Sequence, residues 1–287
     1  MNPPHTPPVG PVTPAAKASR AGRNLPAAIA SAVVLLVLIG ASLYFWKPAF
    51  VAVVTAAILV GIWEFKRGFA VRGIQLPYEP IMAGAVVILV GAYVGGSPAL
   101  VTALAVTALA TLLWRLRRGV EGFVRDATAA VFTAVYVPFL AGFVLLLLRP
   151  EDGPLRVVTF IMVTIASDIG GYFVGVLAGK HPMAPLISPK KSWEGFAGST
   201  VFCVAAGWGT VVLLLGGDWW VGVVLGLVTV VMATLGDLCE SVIKRDLGIK
   251  DMSSVIPGHG GLMDRLDSLL ATVAPTWLLL FYLVPVT

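Results

Sequence analysis

Long apolar runs separated by short polar stretches set the pattern of this chain. Crossing roughly 30 Å of hydrocarbon takes about 20 mainly apolar residues in a helix. Nine runs approach that length, near 25–46, 49–63, 81–98, 99–114, 127–148, 155–179, 195–215, 219–236 and 266–286. The second and fourth are short, and the first hairpin turns at Lys47-Pro48. No polar insertion of domain size separates the runs. The pattern predicts an all-α integral membrane protein of about nine transmembrane helices. Residues 1–24 break it: segment 3–14 is rich in proline, and Lys17, Arg20 and Arg23 follow. Such a stretch has too little apolar surface to fold alone, which predicts a disordered tail. The apolar run after it is too long for the core of a secretory signal, and further spans follow.

Composition supports the bilayer as solvent. Of 287 residues, 58% are hydrophobic and 12% charged, against about 25% charged in soluble domains. Mean hydropathy is +0.92. The net charge of +5 raises the question of nucleic acid, and the placement of the basic residues answers it. Lys47, Arg149 and Arg156 lie on one side of the predicted spans, and the other 17 of the 20 Lys and Arg lie on the opposite side. That split follows the positive-inside rule. It predicts a cytoplasmic N-terminus, an outer C-terminus and no nucleic-acid surface. The two cysteines, Cys203 and Cys239, imply no disulfide framework.

The outer loops are short and nearly featureless. The sequence-rich loops are 180–194 and 237–267, both on the basic side. Asp237, Glu240, Ser241 and Lys244 share one face if the eighth span continues as a helix. Pro257, Gly258, His259, Gly260 and Gly261 follow, a composition that lets backbone N–H groups face an anion. Asp264 and Asp267 project to one side of the next helix's first turn. Segment 237–267 holds six carboxylates and four Lys or Arg. Two readings stay open on these residues: solvated ion pairs with helix-end charges, or carboxylate ligands for Mg²⁺ beside substrate phosphates. Asp168 is the one ionisable residue deep within a predicted span, and charges there are costly and usually functional. Loop 180–194 carries Lys180, Lys190 and Lys191, which suit phosphate or serve as positive-inside charge.

The stretch Ser241 to Asp267 resembles the signature of the phosphatidate cytidylyltransferase family. Ser241, Lys244-Arg245, Lys250-Asp251, Ile256-Pro257, His259-Gly260-Gly261 and Asp264-Arg265-Leu266-Asp267 meet it at its spacing. Ser188-Pro189-Lys190-Lys191-Ser192-Trp193-Glu194-Gly195 is also similar to the family, with Ser192 where threonine is common. Ser167-Asp168-Ile169-Gly170-Gly171-Tyr172 is similar with two substitutions. The match covers roughly residues 160–270.

The resemblance implies CTP and phosphatidic acid as substrates, CDP-diacylglycerol and pyrophosphate as products, and a homodimer. It divides the chain into a cytoplasmic tail (1–24), N-terminal spans (25–150) and a catalytic membrane region (151–287), with the site on the cytoplasmic side of the plasma membrane. It implies that Asp237, Asp264 and Asp267 hold Mg²⁺, with room for a monovalent cation such as K⁺. Lys244 and Arg265 join those aspartates in catalysis. Ser188, Lys190, Lys191, Ser192, Ser241, Arg245, Lys250, His259, Gly260 and Gly261 would contact substrate or phosphate. Two other classes share some of these features. A CDP-alcohol phosphotransferase would carry glycine after its second aspartate, where this chain has Ser268. An ion-coupled transporter would suit Asp168 between glycines, but repeated halves are not evident.

Overall fold

The computed structural model describes residues 25–255 and 260–286. The expected tail and His259 lie outside the described residues. Helices account for most of the described residues: α1 (Leu25–Phe45), α2 (Lys47–Val71), α3 (Tyr78–Leu116), α4 (Phe123–Ala134), α5 (Leu140–Leu148), α6 (Gly153–Ala178), α7 (Trp193–Leu213), α8 (Trp219–Leu247) and α9 (Met263–Leu283). Among the described residues, seven helices are long and apolar enough to cross a membrane, with α4 and α5 read together as one. The chain is an all-α integral membrane protein in that sense.

Helix α3 contains both the third and fourth predicted spans. Its 39 residues would make a rod of about 58 Å, too long for one crossing. Gly96, at φ 72° and ψ −158°, breaks it, and Pro98 follows. The left-handed φ suits glycine. The two legs fold back on each other: a Cβ on Gly84 would lie 2.2 Å from the Thr107 methyl carbon. Helices α4 and α5 are joined by a π turn, Val135–Phe139, around Pro138, whose missing N–H breaks the regular ladder.

Helices α6 to α9 form the half of the molecule that carries the sequence-rich loops. They approach closely through small residues, as membrane helices do when no hydrophobic drive separates protein from lipid. A Cβ on Gly198 of α7 would sit 2.6 Å from the Gly170 carbonyl of α6, so this crossing admits no side chain. Between α6 and α7 the chain forms a short antiparallel hairpin, β1 (Pro182–Ala184) and β2 (Ser188–Ser192). The Ser192 hydroxyl accepts from Gly195 N–H at 3.1 Å and caps α7.

Buried charges tie the ends of the fold. Arg156, 3% exposed, pairs with Asp152 at 2.8 Å. It also donates to the Leu280, Val284 and Pro285 carbonyls, locking the start of α6 to the end of α9. Arg115 pairs with Asp126 at 3.0 Å, joining α3 to α4. Asp168 lies within its predicted span, in α6, but other helical carboxylates lie just beyond the predicted limits. Glu64, Asp126 and Glu240 are helical and more deeply buried, because α2, α4 and α8 run past the predicted span limits.

Candidate active site

Asp168 opens into a cavity of about 220 Å³. α6 supplies Ser167, Asp168 and Tyr172; β2 supplies Lys190 and Lys191; α8 supplies Thr234 and Asp237. Lys191 donates to Asp237 across this space. An adjoining groove of about 420 Å³ runs along α6 past Tyr172, Gly175, Val176 and Gly179, and shares Lys190 and Lys191 with the cavity. Tyr172 and Val176 are exposed on its flank.

Behind the cavity, α8 crosses α9. A Cβ on Gly236 would lie 2.7 Å from the Asp267 carbonyl, so the two backbones nearly touch. Ser268 bridges the crossing: its hydroxyl donates to Asp237, and its N–H donates to the Asp267 carboxylate at 2.8 Å. Two helical turns further along α8, Lys244 donates to Glu240 and to Asp264, both at 2.6 Å. Asp237, Glu240 and Lys244 thus share the α8 face that their spacing predicts.

Asp264 organises the loop between α8 and α9. One of its carboxylate oxygens accepts the N–H groups of Met252 at 3.0 Å and Gly261 at 2.9 Å, and the other takes Lys244. A Cβ on Gly261 would lie 2.7 Å from Asp264 Oδ2, 2.9 Å from Ser253 N and 3.1 Å from Glu64 Oε1. Glycine is required here because three groups converge on its Cα. The anion that Gly261 receives in this arrangement is the chain's own carboxylate.

The chain matches the cytidylyltransferase family over residues 26–283. The chain belongs to the cytidylyltransferase family. Proteins named phosphatidate cytidylyltransferase are similar to it along most of their length. That of Mycobacterium leprae (strain TN) is 42% identical over 277 residues, covering 91% of this chain and 89% of the relative. That of Mycobacterium bovis (strain ATCC BAA-935 / AF2122/97) is 41% identical over 280 residues, covering 93% and 92%. A more distant one, from Haemophilus influenzae, is 29% identical over 274 residues, covering 85% and 94%.

The cytidylyltransferase signature does not gather into one cluster. Lys190, Lys191, Ser192, Asp168 and Asp237 line the cavity, whereas Ser188 lies outside its lining. Asp237 and Asp267 meet through Ser268. Lys244 is engaged by two carboxylates. Ser241 is half-buried on α8, and Arg245, Lys250 and Arg265 are exposed. Gly260, at φ 88°, is a turn glycine. Among the described residues, no three His, Cys, Asp or Glu side chains are set to hold one metal ion. The donor set that fits Mg²⁺ is the Asp237–Asp267 pair, since Mg²⁺ commonly takes one or two carboxylates and completes its shell with water and substrate phosphates.

Sequence reasoning missed Glu64. It sits within α2, which runs on to Val71, one residue beyond the predicted span. The available signal was a lone carboxylate in the run Ile62-Trp63-Glu64-Phe65.

Proposed function

We infer that this chain is a membrane-embedded nucleotidyltransferase that joins CTP and phosphatidate into CDP-diacylglycerol and releases pyrophosphate. The observation that carries this reading is the cavity where Lys190 and Lys191 face Asp168 and Asp237 at the end of a groove along α6. A head site that offers two lysines, continuous with an apolar helix flank, suits a phosphate-headed lipid that never leaves the bilayer.

A phosphatidate oxygen attacks the α-phosphorus of CTP; the bond to the β-phosphate oxygen breaks and pyrophosphate departs. The attacking phosphomonoester is already largely dianionic near neutral pH, with a second pKa of about 6, so no strong general base is needed. The obstacle is the meeting of two anions. Lys190 and Lys191 bind the lipid phosphate, the groove along α6 takes the acyl chains, and Arg245, Lys250 and Arg265 lie on the side from which a soluble nucleotide arrives. Asp237 and Asp267 would hold Mg²⁺. A bound Mg²⁺ supplies charge neutralisation on the triphosphate. Asp264 keeps the loop and Lys244 in register. Asp168 faces Lys191 and Asp237 and holds positive charge at the cavity wall.

The chain crosses the plasma membrane nine times, with the N-terminus and the site on the cytoplasmic side. Support comes from the seven long helices, from the fold-back of α3 at Gly96, from α1, and from the 17-to-3 division of basic residues. The test of function is purified protein with labelled CTP and phosphatidate vesicles. The expected result is label in a lipid product with one pyrophosphate released per turnover. Label transfer that does not depend on phosphatidate would overturn the reading.

A further inference from the structure

Glu64 has no role in the reaction as described, yet it is fully buried. A carboxylate so placed is costly unless donors surround it, and here three do. Glu64 Oε1 accepts from Leu262 N–H at 2.8 Å and from the Ser253 hydroxyl, and Oε2 accepts from Met263 N–H at 2.8 Å. Leu262 and Met263 begin α9. Their N–H groups are among those a helix start leaves without internal partners, at the positive end of its dipole. Glu64 thus caps α9 from another helix.

The neighbours of Glu64 extend this contact. A Cβ on Gly61, one turn earlier on α2, would lie 2.7 Å from the Met263 sulfur. A Cβ on Gly68, one turn later, would lie 3.3 Å from Leu247 and 3.8 Å from Met252. Arg72 Nε donates to the Asp246 carbonyl at 2.8 Å. Gly61, Glu64, Gly68 and Arg72 recur at helical spacing, so one face of α2 meets the described parts of the signature segment at Asp246, Leu247, Met252, Ser253, Leu262 and Met263. On this face Glu64 is the residue that meets the segment with a negative charge.

We propose that Glu64 is a positioning residue for nucleotide transfer: its carboxylate fixes where α9 begins, and so places Asp267 toward the reacting phosphates and Asp264 against the loop that it clamps. This rests on the assignment of Asp237 and Asp267 to the site. The carboxylate, not merely its shape, is required. In Glu64→Gln one arm becomes an NH₂ donor. In either amide orientation that donor faces a backbone N–H, of Met263 or of Leu262. The start of α9 must then shift, and small displacements of reacting groups cost rate more than affinity.

The experiment is steady-state kinetics of Glu64→Gln, Glu64→Asp and Ser253→Ala in purified protein, with thermal unfolding of each preparation. Glu64→Gln should lower kcat about 30-fold or more, with KM for CTP and for phosphatidate within about threefold and an unfolding midpoint near wild type. Glu64→Asp, which keeps the charge, should recover part of kcat. Ser253→Ala removes one donor at a half-buried loop position and should lower kcat by about 3- to 10-fold. Folded Glu64→Gln with kcat within twofold of wild type overturns the proposal. So does a loss of activity that merely follows the folded fraction. If Glu64→Gln does not fold, Ser253→Ala decides, and wild-type kcat there overturns the proposal. Asp267→Asn is run alongside: full activity in that variant refutes the site assignment instead, independently of Glu64.

Discussion

Lys191 on β2 and Asp237 on α8 form an ion pair across the cavity, although 46 residues separate them in sequence. Both are about one-quarter exposed. Lys191 therefore supplies positive charge to Asp237 in this state. Substrate phosphates offer it a stronger partner, and its release would free Asp237 for a metal ion.

Lys191→Ala is expected to lower kcat/KM by about 10- to 100-fold, the loss of one charge-assisted phosphate contact at 1.4 kcal/mol per decade. A partly exposed pair of this kind adds about 1 kcal/mol or less to stability, so the unfolding midpoint in detergent should move by only a few degrees. Wild-type kinetics in the Lys190→Ala/Lys191→Ala double variant would assign both lysines to topology.

Asp264 and Asp267 should respond differently to Mg²⁺. Asp264→Asn loses the charge that faces Lys244 and weakens the Met252 and Gly261 clamp. Activity should fall by about 100-fold or more, and added Mg²⁺ should not restore it. Asp267→Asn should fall as far and recover in part at high Mg²⁺. A titration of initial rate against Mg²⁺ checks both. Rescue of Asp264→Asn by Mg²⁺ would place Asp264 on the metal.

Gly261→Ala places a methyl carbon 2.7 Å from Asp264 Oδ2 and 2.9 Å from Ser253 N. Overpacking of this kind costs about 1–3 kcal/mol, here at the expense of the loop. Activity should fall at least about tenfold, with greater protease sensitivity between α8 and α9. Normal activity would show that the loop is free to move aside.

Arg156→Ala leaves Asp152 buried and three C-terminal carbonyls without their donor. Removing one partner of a buried pair costs about 3–5 kcal/mol. The double variant with Asp152→Ala should recover part of that loss. Thermal unfolding of the two variants measures the difference, and equal midpoints would mean that the pair contributes nothing.

A reporter that works only in the cytoplasm, fused after Thr287, should be silent, and one inserted between Gly119 and Glu121 should be active. A bright C-terminal fusion would remove one crossing from the proposed nine.

Much of this was legible in the sequence. Apolar run length specifies membrane helices, because hydrocarbon forces every backbone group to find its partner within the segment. The boundary drawn between 98 and 99 falls two residues beyond the Gly96 turn, since Gly95-Gly96-Ser97-Pro98 marks the break. The spacing of Asp237, Glu240 and Lys244 placed them on one face before any fold was known. Partnerships were not legible. Nothing local says that Glu64 reaches Met263, that Lys191 finds Asp237, or that Asp264 turns to its own loop while Asp267 meets Asp237 through Ser268. Each joins residues more than ten positions apart or chooses among several nearby charges. A carboxylate's role depends on which donors packing brings within about 3 Å. Residue type and helical spacing set what each side chain can do; only the tertiary structure decides which partner it meets, because that distance is a property of how the helices cross.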